Sequence, residues 1–533
     1  MGLRAQTTGE ISGLVQTIGA DGQPLALVGA EVTVVSKTEA ALRFSTQSDD
    51  AGTYKFTAIP PGAYTLTARL EGYQESSQDV PVEPGGKLEL TLTLTIKKVS
   101  VEVTVRGETE GIQVAQTSPE TQIASGTLVN APLVQERFIE ALPLVPGVVR
   151  GPDGLIKIKG ASSTQTGWLV NSANVTDPVT GEQAISLPVD VIEDLQVLPN
   201  PFSAEYGKFS GAVTKIETKP ATDKYIFSIN NFIPRLRRRA GGFRGIESAT
   251  PRITFSGPIV KGKLAFTQSL EYRLNRLPIE SLPELERDTD QESFDSFTQF
   301  DLTLRAGHQV TGVFSAYPQR QRFATLNTFN PQPATANYKQ KGWMTGLRDR
   351  YLFGDNSLLE STFSLKDFDV NIFPATAGTV FTLRPDGNSD SFFNTQNRIS
   401  RRYEWLEVYS FAPHQAGGQH QLKAGFTFSR DLFRGRYESH TVEVRRGSLS
   451  DTLAEQIEFI GDPEVERNKS EVGLFLHDKW NPTRRLTFDL GARYDYDSLA
   501  KEHNVSPRLA FAYVLTSDNR TLLRGGAGLF YDK

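Results

Sequence analysis

Side chains suited to acid–base or metal chemistry are thinly spread in this chain. The six histidines are His308, His414, His420, His440, His477 and His503. No two of them fall at the spacing that sets paired imidazoles on one helix face around zinc. The chain has no cysteine, which removes thiolate catalysis, disulfides and cysteine-held metals. Neither a G-x-S-x-G elbow nor a G-x-x-x-x-G-K-[ST] phosphate loop occurs. With 62 acidic residues, paired carboxylates arise by chance. Asp49 and Asp50 have the residue types of calcium ligands, but a solvated turn explains them far better. No catalytic residue, metal site or cofactor is expected, and the chain does not read as an enzyme.

Charge excludes another class. The 57 basic and 62 acidic residues leave a net charge of −5, so no basic excess suits a nucleic-acid partner. The run Arg237-Arg238-Arg239 is short enough to be a loop or rim feature. Aromatic residues are more telling, with 32 Phe and 16 Tyr gathered after residue 220, as sheet packing and interfacial girdles require. No stretch of about eighteen apolar residues marks a membrane-spanning helix. The opening residues, Met1 to Gln6, lack the apolar core of a signal peptide.

The elements that must carry these residues are strands. In Leu486–Tyr496 the residues Leu486, Phe488, Leu490, Ala492, Tyr494 and Tyr496 alternate with Thr487, Asp489, Gly491, Arg493 and Asp495. A period of two sends the sets to opposite faces of a sheet. The same pattern recurs in Lys263–Arg273, in Leu422–Ser429 and in Leu509–Leu515. It suits a membrane wall around a polar lumen, or a soluble sheet with one face on a protein core. Leu274–Phe294 and Pro318–Gln340 read as long loops and Asn481–Arg485 as a short turn, the rim asymmetry of an outer-membrane barrel.

Three zones precede or compose this region. Residues 9–96 read as a small β-sandwich, with strands at Glu10–Val15, Ala30–Ser36, Gly52–Ala58, Ala63–Leu70 and Lys87–Ile96. Leu88, Leu90, Leu92, Leu94 and Ile96 should share its inner face. Residues 97–109 form a linker containing the extended run Val99–Val105. Residues 110–219 read as a small α/β domain with long loops, a helix over Val134–Leu142 stopped by Pro143, and strands at Val191–Leu198 and Gly211–Thr218. Residues 220–533 are strand and turn. The fold class is mainly β: an N-terminal sandwich, an α/β domain and part of a large antiparallel transmembrane β-barrel.

Particular segments resemble a known family. Asp50-Ala-Gly-Thr-Tyr-Lys-Phe56, Ile59-Pro-Pro-Gly-Ala-Tyr-Thr-Leu66 and Gly72-Tyr73 are similar to a carboxypeptidase-regulatory-like domain. Ala141–Gly147, Ile156–Gly160, Asn174–Pro178 and above all Val191–Gly207, followed by Phe209–Val213, resemble the plug of TonB-dependent outer-membrane transporters. In that order they resemble the Oar-like branch. The closing Leu523–Tyr531 looks like an internal barrel strand of the same group.

The resemblance implies energy-coupled uptake of a large extracellular solute, such as an oligosaccharide or a peptide. Its implied partners are a TonB-type energy-coupling complex and outer-membrane lipid, with the N-terminal domain in the periplasm. It implies coupling through Glu102, Val103, Thr104 and Val105, where an exposed strand would pair edge-on with its partner. It also implies that Lys159, Gly160, Glu193, Glu205, Tyr206 and Gly207 hold the plug backbone, Gly207 in a tight turn. The chain departs from the family where Lys159-Gly160 replaces Arg-Gly, because lysine lacks the bidentate fork of arginine. It also has Trp168–Ser172 where a Leu-Asp-Gly-like element is usual. About fourteen to sixteen strands are expected after residue 220, against the 22 of plugged transporters, so the chain reads as a C-terminally truncated one. The competing reading is an outer-membrane adhesion or surface-assembly protein anchored by the barrel, with a soluble all-β protein third.

Overall fold

The computed structural model describes all residues except 1–7, 19–22, 38–41, 71–72, 74, 96–116, 118–120, 132–136, 152–154, 163–164, 182, 200–201, 240–241, 448–450, 517–520 and 532–533. The N-terminal region is built from eight strands: β1 (Gly9–Ile18), β2 (Pro24–Ala26), β3 (Glu31–Ser36), β4 (Arg43–Gln47), β5 (Thr53–Ile59), β6 (Gly62–Arg69), β7 (Ser76–Val82) and β8 (Lys87–Thr93). One sheet has the order β2-β1-β5 with β8 parallel to β1, and the other the order β4-β3-β6-β7. Strands β2, β4 and β7 lie outside the sequence expectation, being short or strongly polar.

Alternation drives the packing of this region. Ile11, Val15, Val32, Val34, Tyr54, Phe56, Tyr64, Leu66, Leu92 and Leu94 form one buried cluster, each large side chain contributing about 1.5–3 kcal/mol by leaving water. Leu88 and Leu90 are half-buried against it, and Ile96 lies outside the described residues. The turn motifs have mechanical roles. The Tyr64 hydroxyl donates to the Pro60 carbonyl at 2.8 Å, which ties the Pro-Pro-Gly turn to the strand after it. Tyr54 donates to the Leu90 carbonyl at 2.8 Å, and burial pushes its phenol up to about 12. Gly13 admits this approach of β8, because a Cβ there would lie 1.8 Å from the Leu90 oxygen. Asp49 caps its own turn, accepting from the Ala51 and Thr53 amides at 3.0 and 2.8 Å. No metal-holding cluster occurs among the described residues.

The middle region is a five-stranded sheet with β9 (Thr121–Ala124), β12 (Gly167–Val170), β13 (Ala173–Asn174), β14 (Ile192–Leu198) and β15 (Val213–Thr218) in the order β13-β12-β15-β14-β9. Strands β10 (Val148–Arg150) and β11 (Ile156–Ile158) form a separate hairpin. Helix is scarcer than the α/β reading expects. One short α-helix covers Ser125–Asn130, and a 3-10 helix covers Phe138–Leu144 with Pro143 inside it. Proline lacks only a donor and fixes a helix-like φ, so it fits the end of a tight short turn where it would break a longer α-helix.

Among the described residues the last region is a sheet of seventeen strands, running from Ile226–Asn230 to Leu522–Gly528, with its long strands paired antiparallel. Its longest strands, such as Gln419–Ser439 and Glu464–Thr483, reach 21 and 20 residues. The two segments expected as long loops are loops only in part: strand reaches Pro278 and resumes at Asp288, and 323–335 separate Gln319–Arg322 from Ala336–Leu352. Leu264–Pro278 and Asp288–Arg305 pair across nearly their whole length, as do Ala336–Leu352 and Leu358–Pro374. Polar residues sustain these ladders because backbone pairing continues past the apolar band. Short turns at 306–307, 353–357 and 484–485 lie at one rim, and the connections 375–393 and 440–463 at the other.

The faces of this sheet settle which setting the alternation implies. Glu271, Arg273, Asp295, Lys366, Arg402 and Arg493 are buried, whereas Leu270, Tyr272, Phe363, Trp405, Leu474 and Leu476 are among its exposed large side chains. A sheet packed on a soluble core would show the reverse, since buried charge and a wide exposed apolar face are both costly in water.

Candidate functional site

Polar residues of the wall and backbone of the middle region meet in a chain of buried ion pairs and hydrogen bonds. The tightest part involves the segment Ser203–Lys208, between β14 and β15. It sits between two arginines of neighbouring strands, Arg493 in Leu486–Asp497 and Arg508 in Glu502–Val514. Arg508 Nη1 donates to the carbonyls of Ser203 and Tyr206 at 2.7 and 2.6 Å. Arg493 Nη1 donates to those of Ala204 and Glu205 at 3.4 and 3.3 Å. Two cations thus hold the carbonyls of four consecutive residues.

Each guanidinium is itself held. Asp495 accepts from Arg493 Nε at 2.8 Å, and Thr427 Oγ1 accepts from its Nη2 at 3.0 Å. Arg508 lies over the Phe530 ring, 4.5 Å from its centre, and Phe202 meets Phe530 edge-on. Gly207 carries no left-handed backbone; among the described residues the neighbouring Lys208 does, at φ 64°. What Gly207 supplies is space, since a Cβ would stand 2.1 Å from Arg493 Nε. Gly491 does the same for Ala204, 2.9 Å from its Cβ.

The grip continues around the wall. Lys208 Nζ meets Glu471 at 2.6 Å, and burial lowers the ammonium pKa against the opposing pull of that carboxylate. Arg348 bridges Glu217 on β15 and Glu360 on the wall at 3.1 and 2.9 Å. Thr218 donates to Gln299 at 2.7 Å, Ser186 to Asp295 at 3.0 Å, and Asp190 pairs with Arg252 at 3.2 Å. Phe297, Val313, Tyr317, Met344 and Phe368 of the wall join the apolar core of the middle sheet. Thr117 hydrogen-bonds Asp489, which also faces His477 at 3.3 Å.

The residues singled out from sequence separate into three groups. Glu102, Val103, Thr104 and Val105 lie outside the described residues. Lys159 and Gly160 form an exposed turn with left-handed φ of 47° and 86°, where Lys159 N donates to the Gly147 carbonyl at 2.8 Å. They take no part in the grip. Glu193 sits at a register shift in the β14–β15 ladder, its carboxylate acting on Lys219. Only Glu205, Tyr206 and Gly207 belong to the contact with the wall, the first two through backbone carbonyls. Arg493 and Arg508 escaped notice because alternation assigns them to a water-facing set, and nothing local distinguishes a contact with the middle region from solvent.

The comparisons agree with this geometry. Residues 10–95 match the carboxypeptidase regulatory-like domain family, and residues 280–529 match the TonB dependent receptor-like β-barrel family. Residues 280–529, just under half of the chain, therefore resemble the barrel of TonB-dependent receptors, which are not enzymes. The chain is 23% identical over 252 residues to the TonB-dependent transporter Oar of Myxococcus xanthus, a match covering 41% of this chain and 23% of that one. The siderophore receptor PirA of Acinetobacter baumannii shares the fold with a TM-score of 0.60 at 17% identity, over 79% of this chain and 62% of that one. The outer membrane transporter YddB of Escherichia coli does so with a TM-score of 0.57 at 14% identity, over 78% and 61%. The chain therefore spans about a quarter of the curated relative and about three-fifths of these solved chains.

Proposed function

We propose that the protein is an energy-coupled outer-membrane receptor and transporter for a large solute such as an oligosaccharide or a peptide. In this reading, residues 9–96 are a periplasmic sandwich and 97–109 a linker that carries the coupling strand Glu102–Val105. Residues 110–219 are a plug, 220–533 belong to the barrel wall, and the exposed apolar face meets outer-membrane lipid. The observation that carries it is the grip of Arg493 and Arg508 on Ser203–Tyr206. Held through backbone carbonyls and a dense polar lining, the plug stays seated yet can shift without exposing a hydrophobic core.

The absence of native cysteine allows a direct test. Ala204→Cys with Gly491→Cys places a disulfide across the plug–wall contact, where the two Cβ positions are 2.9 Å apart before relaxation. In cells, uptake of labelled peptide and oligosaccharide mixtures should cease on oxidation and return with reductant. Uptake that continues through the locked form overturns the reading. A photo-crosslinker at Val103 should form an adduct with the TonB-type partner. Surface binding that persists, with no uptake at all, after deletion of Glu102–Val105 from an uptake-deficient intact protein favours adhesion instead.

A further inference from the structure

The long connections build a second, smaller sheet beyond the wall. Val380–Leu383, Ser389–Asp390, Thr441–Arg445 and Leu453–Ile457 form four strands, with Leu453–Ile457 at one end of the order. Phe381, Val442 and Ala334 give this sheet its own core, with Leu383 and Phe393 packed against it. Phe392, Phe393 and Phe459 extend that core as an aromatic stack. The platform therefore has a core of its own, and its last strand pairs antiparallel with Thr441–Arg445, with a register shift between Val444 and Arg445.

Leu453–Ile457 is exposed along its whole length, and among the described residues no strand pairs with its other side. Soluble proteins usually protect such edges with lysine, proline or a covering segment. Leu453–Ile457 itself carries neither lysine nor proline, and residues 451–466 contain six carboxylates and no lysine or arginine. Glu455 and Ile457, opposite Val444 and Val442, share one face, and the register shift turns Leu453, opposite Arg445, to the other; Ile457 is 38% exposed. Asp451 is already engaged by Arg384 and Arg445, whereas Glu455 is exposed two residues from Ile457 on that face.

We infer that this edge binds an extended peptide by strand addition. The pattern it selects is a basic residue and an apolar residue two positions apart. Backbone pairing supplies the attachment, the apolar residue meets Ile457 across the strands, and the cation meets Glu455. Glu458 and Asp462 add negative potential that steers a cationic segment toward the edge. The inference deepens the uptake reading by naming the substrate class, and it depends on that reading only for what happens after binding.

The test uses the intact protein in detergent micelles and a fluorescent peptide with a Val-Thr-Lys-Thr-Val core. Binding should saturate and should weaken at least about tenfold when alternate peptide nitrogens on the pairing edge are methylated, since strand addition requires those donors. Replacing the central lysine by glutamate in the peptide should abolish it. Glu455→Lys with Glu458→Lys, both at exposed positions, should weaken the original peptide and restore the glutamate one. Equal binding of the methylated peptide, or indifference to the double variant, overturns the inference. Binding of a neutral oligosaccharide that the same variant abolishes also overturns it. Peptide binding without uptake in cells leaves the edge standing and counts against transport. Uptake of the peptide by a variant that does not bind at the edge counts against the edge.

Discussion

Replacing Arg508 by alanine should loosen the hold of the wall on Ser203–Tyr206 more than any other single change. The side chain is 5% exposed and makes two charge-assisted bonds to carbonyls, at 2.7 and 2.6 Å. Such bonds contribute about 1.5–3 kcal/mol each, and truncation removes both, leaving the Ser203 carbonyl its bond from the Tyr206 amide. Part of the loss is returned because a guanidinium no longer has to be kept from bulk water. A net cost of about 3 kcal/mol follows, equivalent to a shift of roughly a hundredfold in the local opening equilibrium. Hydrogen exchange at the Tyr206 amide, which bonds the Ser203 carbonyl within the turn, reads this directly. Exchange there should accelerate by about that factor while wall amides in Gln419–Ser439 remain unchanged. Arg508→Lys should recover only part of the protection, because one ammonium cannot reproduce the planar fork. Unaltered exchange at Tyr206 in the alanine variant would refute the grip as the element that seats this segment.

Gly207→Ala forces Arg493 to leave Asp495, Thr427 or the Ala204 and Glu205 carbonyls, and should cost about 1–3 kcal/mol in thermal or denaturant unfolding. A change below about 0.5 kcal/mol would mean the side chain relocates freely. In the N-terminal region the Thr53 hydroxyl, helped by the Thr53 and Ala51 amides, holds the Asp49 carboxyl below its usual range despite the small opposing effect of burial. A depressed folded-state pKa stabilises above the unfolded value and loses its effect as pH falls through the folded one. Asp49→Asn should therefore lower the melting temperature of this region at neutral pH, and the difference should vanish in strong acid. A difference that grows on acidification has the wrong sign. Phe363 is 45% exposed beside Trp405 on the apolar face. Phe363→Arg should cost up to about 2–4 kcal/mol in folding into lipid vesicles if that face meets hydrocarbon near the bilayer centre. Folding at the unsubstituted stability would argue against lipid contact there.

Local chemistry was enough to read much of this chain. Leu92 and Leu94 go inward and Thr91 and Thr93 outward because a strand has no third option, and the strands at 192–198 and 213–218 announce themselves by the same rule. The Asp49 turn and the Pro60–Tyr64 clamp are likewise local, made by residues four or fewer positions apart. The absence of cysteine and of any zinc-type histidine spacing was legible without coordinates. Alternation could not say which face of the long strands is buried, because it records a difference between faces and not its sign. Glu271 and Arg273 buried beside an exposed Leu270 give that sign only once the strands are assembled. Nor could sequence find Arg493 and Arg508, which meet Ser203–Tyr206 across nearly three hundred residues. The contact is made to backbone carbonyls, which every residue carries and no residue type signals. What the sequence determined is therefore period and turn chemistry. The tertiary structure alone decided which polar face is enclosed, which cations hold the enclosed segment, and that the edge at Leu453–Ile457 is left open.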